Sequence, residues 1–280
     1  MSPGNCVAVI GVGLVGGSVA RSLAGRGVKV LGFDADQSTV AAALGERVLS
    51  LALPPDLSGI EEADAVVIAV PVDAAPAILG LVAARAKSAR LITDVGSTKR
   101  TIVAAAESLG IGDRFVGAHP MAGDHRSGWP ASRPDLVEGA TVYLCPIKST
   151  PPDVLEAAKN FWAAIGGKPK AIGAAEHDEL VAWTSHMPHL LSSALALALA
   201  REGIARETLG QGGRDMTRLA GGSSELWTAI ARDNSDSIAS ALSGIERELG
   251  VIRLSLTDVD GTALRKLLEG AAGWAATSAT

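Results

Sequence analysis

Two short stretches put polar side chains where an apolar run gives way to a loop. Ser97 lies in Asp94-Val-Gly-Ser-Thr-Lys99, and His119 lies in Gly117-Ala-His-Pro-Met-Ala-Gly123. A neutral imidazole accepts a proton from a hydroxyl. Pro120 restricts the backbone of His119 to extended or turn geometry and so fixes its aim; the alternative for such a ring is a bond to a loop carbonyl. Ser97 is read as opening a helix over 97–109, either as an ordinary N-cap or as a donor to a ligand at the helix N-terminus. Lys99 reads as a solvated helix residue. Further on, His186 and His189 lie three apart in a helical pattern over 176–201 that is broken or bent at Pro188. No suitable third ligand accompanies them, so no metal site is expected; one ring faces a cleft and the other is a satisfied core group. Gly210-Gln-Gly-Gly-Arg-Asp-Met-Thr-Arg218 reads as a glycine-rich loop of the kind that carries function. Arg218 offers a guanidinium fork for a carboxylate or a surface ion pair with Asp215. Trp227 closes a pocket or fills core.

The elements that must position these groups begin with a strand over 6–10, then Gly11-Val-Gly-Leu-Val-Gly16, then a helix through Val19, Ala20 and Leu23. A second strand over 28–33 ends at Asp34, 18 positions after Gly16. This order matches a dinucleotide fingerprint, with Gly11 for the tight turn, Gly13 for close approach of the pyrophosphate and Gly16 for helix-on-strand packing. Leu14 and Val15 open the helix between them. Val70 and Pro71, at the end of a strand over 65–70, complete the expected cofactor set. A carboxylate at Asp34 accepts from ribose hydroxyls and repels a 2′-phosphate, and no arginine follows at once, so NAD is favoured over NADP. Strands over 91–93, 115–118 and 141–144, an edge strand over 168–172, and helices over 73–86, 97–109 and 153–165 continue the alternation. The expectation is a Rossmann-type doubly wound parallel sheet.

From 174 onward the pattern is helical. Ile238, Leu242, Ile245, Leu249, Ile252 and Leu256 form a stripe over 235–256, and a last helix covers 262–268. The chain therefore divides into a dinucleotide-binding domain, 1–173, and an all-helical substrate and dimerisation domain, 174–280. Helices this apolar exceed what so small a domain buries alone, which points to a homodimer. The chain has 280 residues, 48% of them apolar, and a net charge of −5. No basic cluster offers a nucleic-acid footprint. Cys6 and Cys145 have neither metal-ligand spacing nor a disulfide framework, as in a reducing compartment. No signal-peptide pattern opens the chain, and the longest apolar run, 190–200, is short of the roughly 20 residues of a membrane span. A soluble, cytoplasmic protein is expected.

Taken together, Gly11-Val-Gly-Leu-Val-Gly-Gly-Ser18, Asp94-Val-Gly-Ser-Thr-Lys99, Gly117-Ala-His-Pro-Met-Ala-Gly123, Ser185-His-Met-Pro-His189 and Arg214-Asp-Met-Thr-Arg218 with Trp227 resemble the prephenate/arogenate (cyclohexadienyl) dehydrogenases of tyrosine biosynthesis. The resemblance covers nearly the whole chain. It implies NAD-dependent oxidative decarboxylation of prephenate, with arogenate or both as the alternative substrate. His119 resembles the histidine that accepts a hydrogen bond from the substrate 4-hydroxyl, and Ser97 the serine that holds the two in place. Arg218 resembles the arginine that binds the ring carboxylate, His189 a substrate-site histidine, and Trp227 a pocket residue that the partner subunit can supply. Arg214 stands where relatives can have lysine. Asp124-His125-Arg126 departs from the run usual after Gly123, and Ser223-Ser-Glu225 replaces the usual proline before the tryptophan. Asp124 favours the ammonium of arogenate, whereas His125 and Arg126 favour the keto-acid of prephenate. Neither a fused chorismate mutase domain in front nor a regulatory domain behind is expected. Rival readings are a β-hydroxyacid or pyrroline-carboxylate enzyme of the same plan, an enzyme for 4-amino-4-deoxyprephenate, and a non-catalytic NAD-sensing regulator.

Overall fold

The computed structural model describes residues 4–124, 126–258 and 260–277. His125 therefore lies outside the described residues. The strands are β1 Cys6–Ile10, β2 Lys29–Phe33, β3 Leu51–Ala52, β4 Ala65–Ile68, β5 Leu91–Asp94, β6 Phe115–Pro120, β7 Thr141–Pro146 and β8 Lys168–Ala171. The helices between them are α1 Leu14–Ala24, α2 Gln37–Gly45, α3 Ala75–Arg85, α4 Arg100–Ser108 and α5 Pro152–Ala164. After the sheet come α6 Ala174–Val181, α7 Met187–Arg201, α8 Gln211–Thr217, α9 Ser224–Asp233, α10 Ser235–Ser255 and α11 Thr262–Ala276.

The strands form one sheet in the order β3-β2-β1-β4-β5-β6-β7-β8. The order reverses between β1 and β4, and at such a switch point loops from both sides open a crevice at the carboxyl edge. β1 is buried along its length, so its side chains alternate between two cores. Val7 and Val9 pack with Val19 and Leu23 of α1 and with Phe161 and Trp162 of α5. Ala8 and Ile10 pack with Leu79 and Val82 of α3 and with Ile102 of α4. A smaller third core joins Ala182, Met187, Ile238 and Ala241 in the helical part.

Several elements differ from the expectation. The sheet is not wholly parallel: β7 runs antiparallel to β6, with Ala118 opposite Leu144 and His119 opposite Tyr143, and β8 follows β7 in parallel. α4 starts at Arg100, so Ser97 is a turn residue three positions before it and not its N-cap. The 176–201 pattern is two helices joined by a π-helical turn, Ala182–His186. Pro188 has no N–H for a carbonyl one turn back, and a widened turn absorbs that loss. The glycine-rich segment is not a loop: α8 occupies Gln211–Thr217. Thr217 Oγ1 donates to the Gly213 carbonyl and Gln211 to Asp215 (3.0 and 3.1 Å), which holds the short helix against its glycines. Among the described residues no helix is long and apolar enough to cross a membrane.

Candidate active site

The turn after β1 shows which glycines serve packing and which serve access. Gly11 has φ +92°, and a Cβ there would lie 2.3 Å from the Ala69 carbonyl oxygen. A Cβ on Gly16 would lie 1.9 Å from the Gly11 oxygen. A Cβ on Gly13 would meet nothing within 4 Å. Gly13 is the N-cap of α1 and gives it no side-chain bond, so the first N–H groups of an 11-residue helix are left for an anion. Asp34 Oδ2 accepts from the Val12 N–H (2.8 Å) and Oδ1 from that of Asp36 (2.9 Å), so this carboxylate also braces the turn. Half-buried Val70 and exposed Pro71 flank the same edge. An uncapped helix start, an open glycine and a carboxylate at the end of β2 fit a dinucleotide.

Across the switch point, β5 delivers Asp94. Its Oδ2 accepts from the Gly96 N–H (2.8 Å) and its Oδ1 from the Ala118 N–H (2.9 Å). Lys99 is fully buried, not solvated; its ammonium pairs with Asp94 and donates to the Ala118 carbonyl (2.9 Å). Ser97 sits half-buried on the turn between these two residues, beside the strand that carries His119.

His119 is 8% exposed, and its Nδ1 lies 2.9 Å from His177 Nε2. His177 Nδ1 lies 2.8 Å from Asp178 Oδ1, and both residues are wholly buried. The Tyr143 ring meets His177 edge-on at 5.5 Å. Asp178 Oδ1 also accepts from the Lys99 N–H (2.8 Å), and Oδ2 accepts from the N–H (2.9 Å) and Nε (3.2 Å) of Arg100. The cap that α4 lacks locally thus comes from α6. Burial, then the neighbouring His177, Lys99 and His186, hold His119 well below the ordinary histidine range. Burial alone would raise the Asp178 carboxyl, but the bonds from His177, Arg100 and Lys99 bring it below its usual value. Asn234 Nδ2 donates to the Asp178 carbonyl (2.8 Å) and lies 3.2 Å from His186 Nδ1, while Asn234 Oδ1 accepts from Arg100 (2.8 Å). His186 Nε2 is buried and has no partner among the described residues. Burial pushes His186 down to about 4.

His189, 8% exposed, stacks on Trp227 at 3.6 Å and 17°. Gly222 makes the stack possible, since a Cβ there would fall 2.8 Å from the His189 ring and 2.9 Å from Trp227 Nε1. Arg218 and Arg214 are exposed, and Arg214 Nε donates to the Leu209 carbonyl (2.9 Å). Asp215 takes Gln211 as its partner, so the Arg218–Asp215 ion pair that was the alternative to a carboxylate fork is not the one formed. Asp124 is gripped by Arg126 (3.0 Å) and Arg133 (2.9 Å), and the Arg126 bonds hold its carboxyl far below the carboxylate range. His177, Asp178, Lys99 and Asn234 are absent from the set read off the sequence. The one signal for them is an adjacent His–Asp pair opening the first helix after the last strand. Among the described residues no group of three or more His, Cys, Asp or Glu side chains is placed to hold a metal ion.

A glycine turn that fits a dinucleotide and a buried imidazole thus share the carboxyl edge of one sheet, and the helices from α6 onward pack against it. Residues 19–170 match the family described as "Prephenate dehydrogenase, nucleotide-binding domain", and residues 173–270 match "Prephenate dehydrogenase, dimerization domain". The chain is 32% identical over 262 residues to the prephenate dehydrogenase of Bacillus subtilis (strain 168), covering 91% of this chain and 71% of that protein. It superposes on the prephenate dehydrogenase of A. aeolicus, solved with hydroxyphenyl propionate and NAD+, with a TM-score of 0.88, 28% identity and 96% of each chain covered. Against Synechocystis arogenate dehydrogenase the TM-score is 0.82 at 29% identity, covering 96% of this chain and 98% of that one. The chain belongs to the prephenate dehydrogenase family.

Proposed function

We propose that the protein oxidises and decarboxylates prephenate to 4-hydroxyphenylpyruvate with NAD, and that His119 is its base. The observation that carries this reading is a neutral, nearly buried imidazole at the carboxyl end of β6, next to the Ser97 turn and in the same sheet as an open dinucleotide turn. His119 takes the proton of the 4-hydroxyl, and Ser97 holds that hydroxyl against it. NAD, when bound, supplies the hydride acceptor; Gly11, Gly13, Leu14, Val15, Gly16, Asp34, Val70 and Pro71 hold it. Loss of the ring carboxylate as CO2 completes an aromatic ring, so the chain need supply only orientation and one base. Arg218 and Arg214 bind carboxylate, and the His189–Trp227 stack walls the ring. The two domains divide at 173, between β8 and α6.

Prephenate is favoured over arogenate because Asp124 is already matched by two guanidinium groups, which leaves it a poor partner for an ammonium. A homodimer is inferred from the helical part, where Trp183, Leu197, Met216, Leu249 and Leu254 stand exposed on one chain. The test is nicotinamide reduction by the purified protein with prephenate and arogenate side by side. Faster turnover of prephenate supports the reading. Faster turnover of arogenate overturns the substrate assignment, and turnover of neither overturns the activity.

A further inference from the structure

We infer that His177 is a positioning residue for the base: the Asp178 carboxylate, acting through His177, fixes the tautomer of His119 so that its Nε2 carries the free lone pair. The inference rests on the reading of His119 as the base, and it is carried by the chain of two hydrogen bonds, 2.9 and 2.8 Å, that joins the three side chains.

Asp178 accepts from the backbone N–H groups of Lys99 and Arg100 and from Arg100 Nε. Surrounded by donors, it is an ionised acceptor. His177 Nδ1 must then carry the hydrogen it shares with Asp178. In a neutral His177 the other nitrogen, Nε2, is an acceptor, so the bond to His119 requires a hydrogen on His119 Nδ1. That leaves His119 Nε2 unprotonated. The reverse order would set a histidine lone pair against the Asp178 carboxylate at 2.8 Å. When Nε2 takes the substrate proton, the new imidazolium keeps its Nδ1–H on His177, whose own Nδ1–H rests on the carboxylate. The developing charge is stabilised without any side chain having to reorient.

The groups that face the pair are Lys99 and Asp94 from the β5–α4 turn, Arg100 from α4, Tyr143 from β7, Asp178 from α6 and His186 from the π-helical turn. His119 belongs to the sheet, while His177 and Asp178 belong to the first helix of the helical part, so the base is set only when the two are docked.

The test uses the full-length protein. Nitrogen-15 NMR of the histidine rings, in the absence of substrate, is expected to show His119 as the Nδ1–H tautomer at neutral pH; an Nε2–H signal there overturns the proposal. His177→Leu is expected to lower kcat by about 10²–10⁴-fold, the range that a correctly set general base contributes, to leave NAD affinity and KM unchanged and to alter the acid limb of the pH profile. His177→Gln, whose amide oxygen can accept from His119 Nδ1, is expected to restore part of kcat. A His177→Leu protein with the wild-type kcat and pH profile overturns the proposal. Should His177→Leu fail to fold, the tautomer measured on the wild type decides. If the tautomer is as expected while neither prephenate nor arogenate turns over, the assigned activity fails and the positioning stands.

Discussion

Asp94 and Lys99 close on each other across the turn that carries Ser97, and between them they hold both backbone groups of Ala118. The carboxylate accepts the Ala118 N–H and the ammonium donates to its carbonyl, each at 2.9 Å. The residue before His119 is thus gripped by the side chains that bracket Ser97, so the two groups expected to share one substrate hydroxyl share one scaffold. Lys99→Met strands the Asp94 charge in a site where both partners are buried. It is expected to destabilise the protein by about 3–5 kcal/mol, seen as a lower urea midpoint with an unchanged slope.

Gly13 and Gly16 separate the two jobs of the nucleotide turn. Gly13→Ala has room for its methyl, so it is expected to melt like the wild type and to weaken NAD binding by about tenfold, or 1.4 kcal/mol. Gly16→Ala drives a methyl into the Gly11 carbonyl and is expected to cost about 1–3 kcal/mol of stability. Thermal unfolding together with a nucleotide titration distinguishes them; equal melting temperatures for the two variants would contradict the assignment of roles.

His186 gives acid sensitivity a definite window. Its folded value, about 4, lies below the ordinary 6.5 of an unfolded histidine. The unfolded chain therefore binds the extra proton first as pH falls. Stability is full above 6.5 and is lost between 6.5 and 4, by roughly 3 kcal/mol from this residue. His119 is shifted in the same direction. Asp178, whose folded value is lowered from 3.8, contributes its loss only below that value. Denaturant unfolding at a series of pH values should show a shallower loss between 6.5 and 4 in His186→Gln than in the wild type.

The outward side of α10 tests the assembly. Leu242 and Leu249 are exposed on a single chain, whereas Ile238, in the same stripe, is buried in the third core. Leu249→Glu is expected to shift the protein from dimer to monomer in light scattering behind a sizing column, without lowering the melting of the nucleotide-binding sheet. A wild-type protein that already runs as a monomer at micromolar concentration would refute the homodimer.

Much of this was readable from residues. Gly11, Gly13 and Gly16 after an apolar run define their turn locally, and the run over 6–10 reads as a strand. The reversal of β7 was not legible, because alternation of apolar residues is the same whichever way a strand runs. Ser97 looked like a helix cap because the true cap, Asp178, comes from a helix far along the chain. His177 and Asp178 carry no local signal for the same reason: they become part of the site only when α6 docks on β6 and β7. The glycines of 210–218 argued for a loop, and side-chain bonds within α8 overrule them.

The antiparallel pairing of β6 with β7 means that the chain leaves the carboxyl edge after Pro120 and returns to it at Thr141, and the Met121 N–H closes the excursion on the Thr141 carbonyl at 2.8 Å. The segment between these anchors carries Asp124, Arg126 and Arg133, yet no strand register depends on its length. The segment is nevertheless held: Trp129 and Val137 are buried in the first core, Arg21 bonds Ser132, and the Arg133 N–H donates to Ser18 Oγ. The loop after β6 and the helix after the nucleotide turn therefore share one brace, and a change in either is felt by the other.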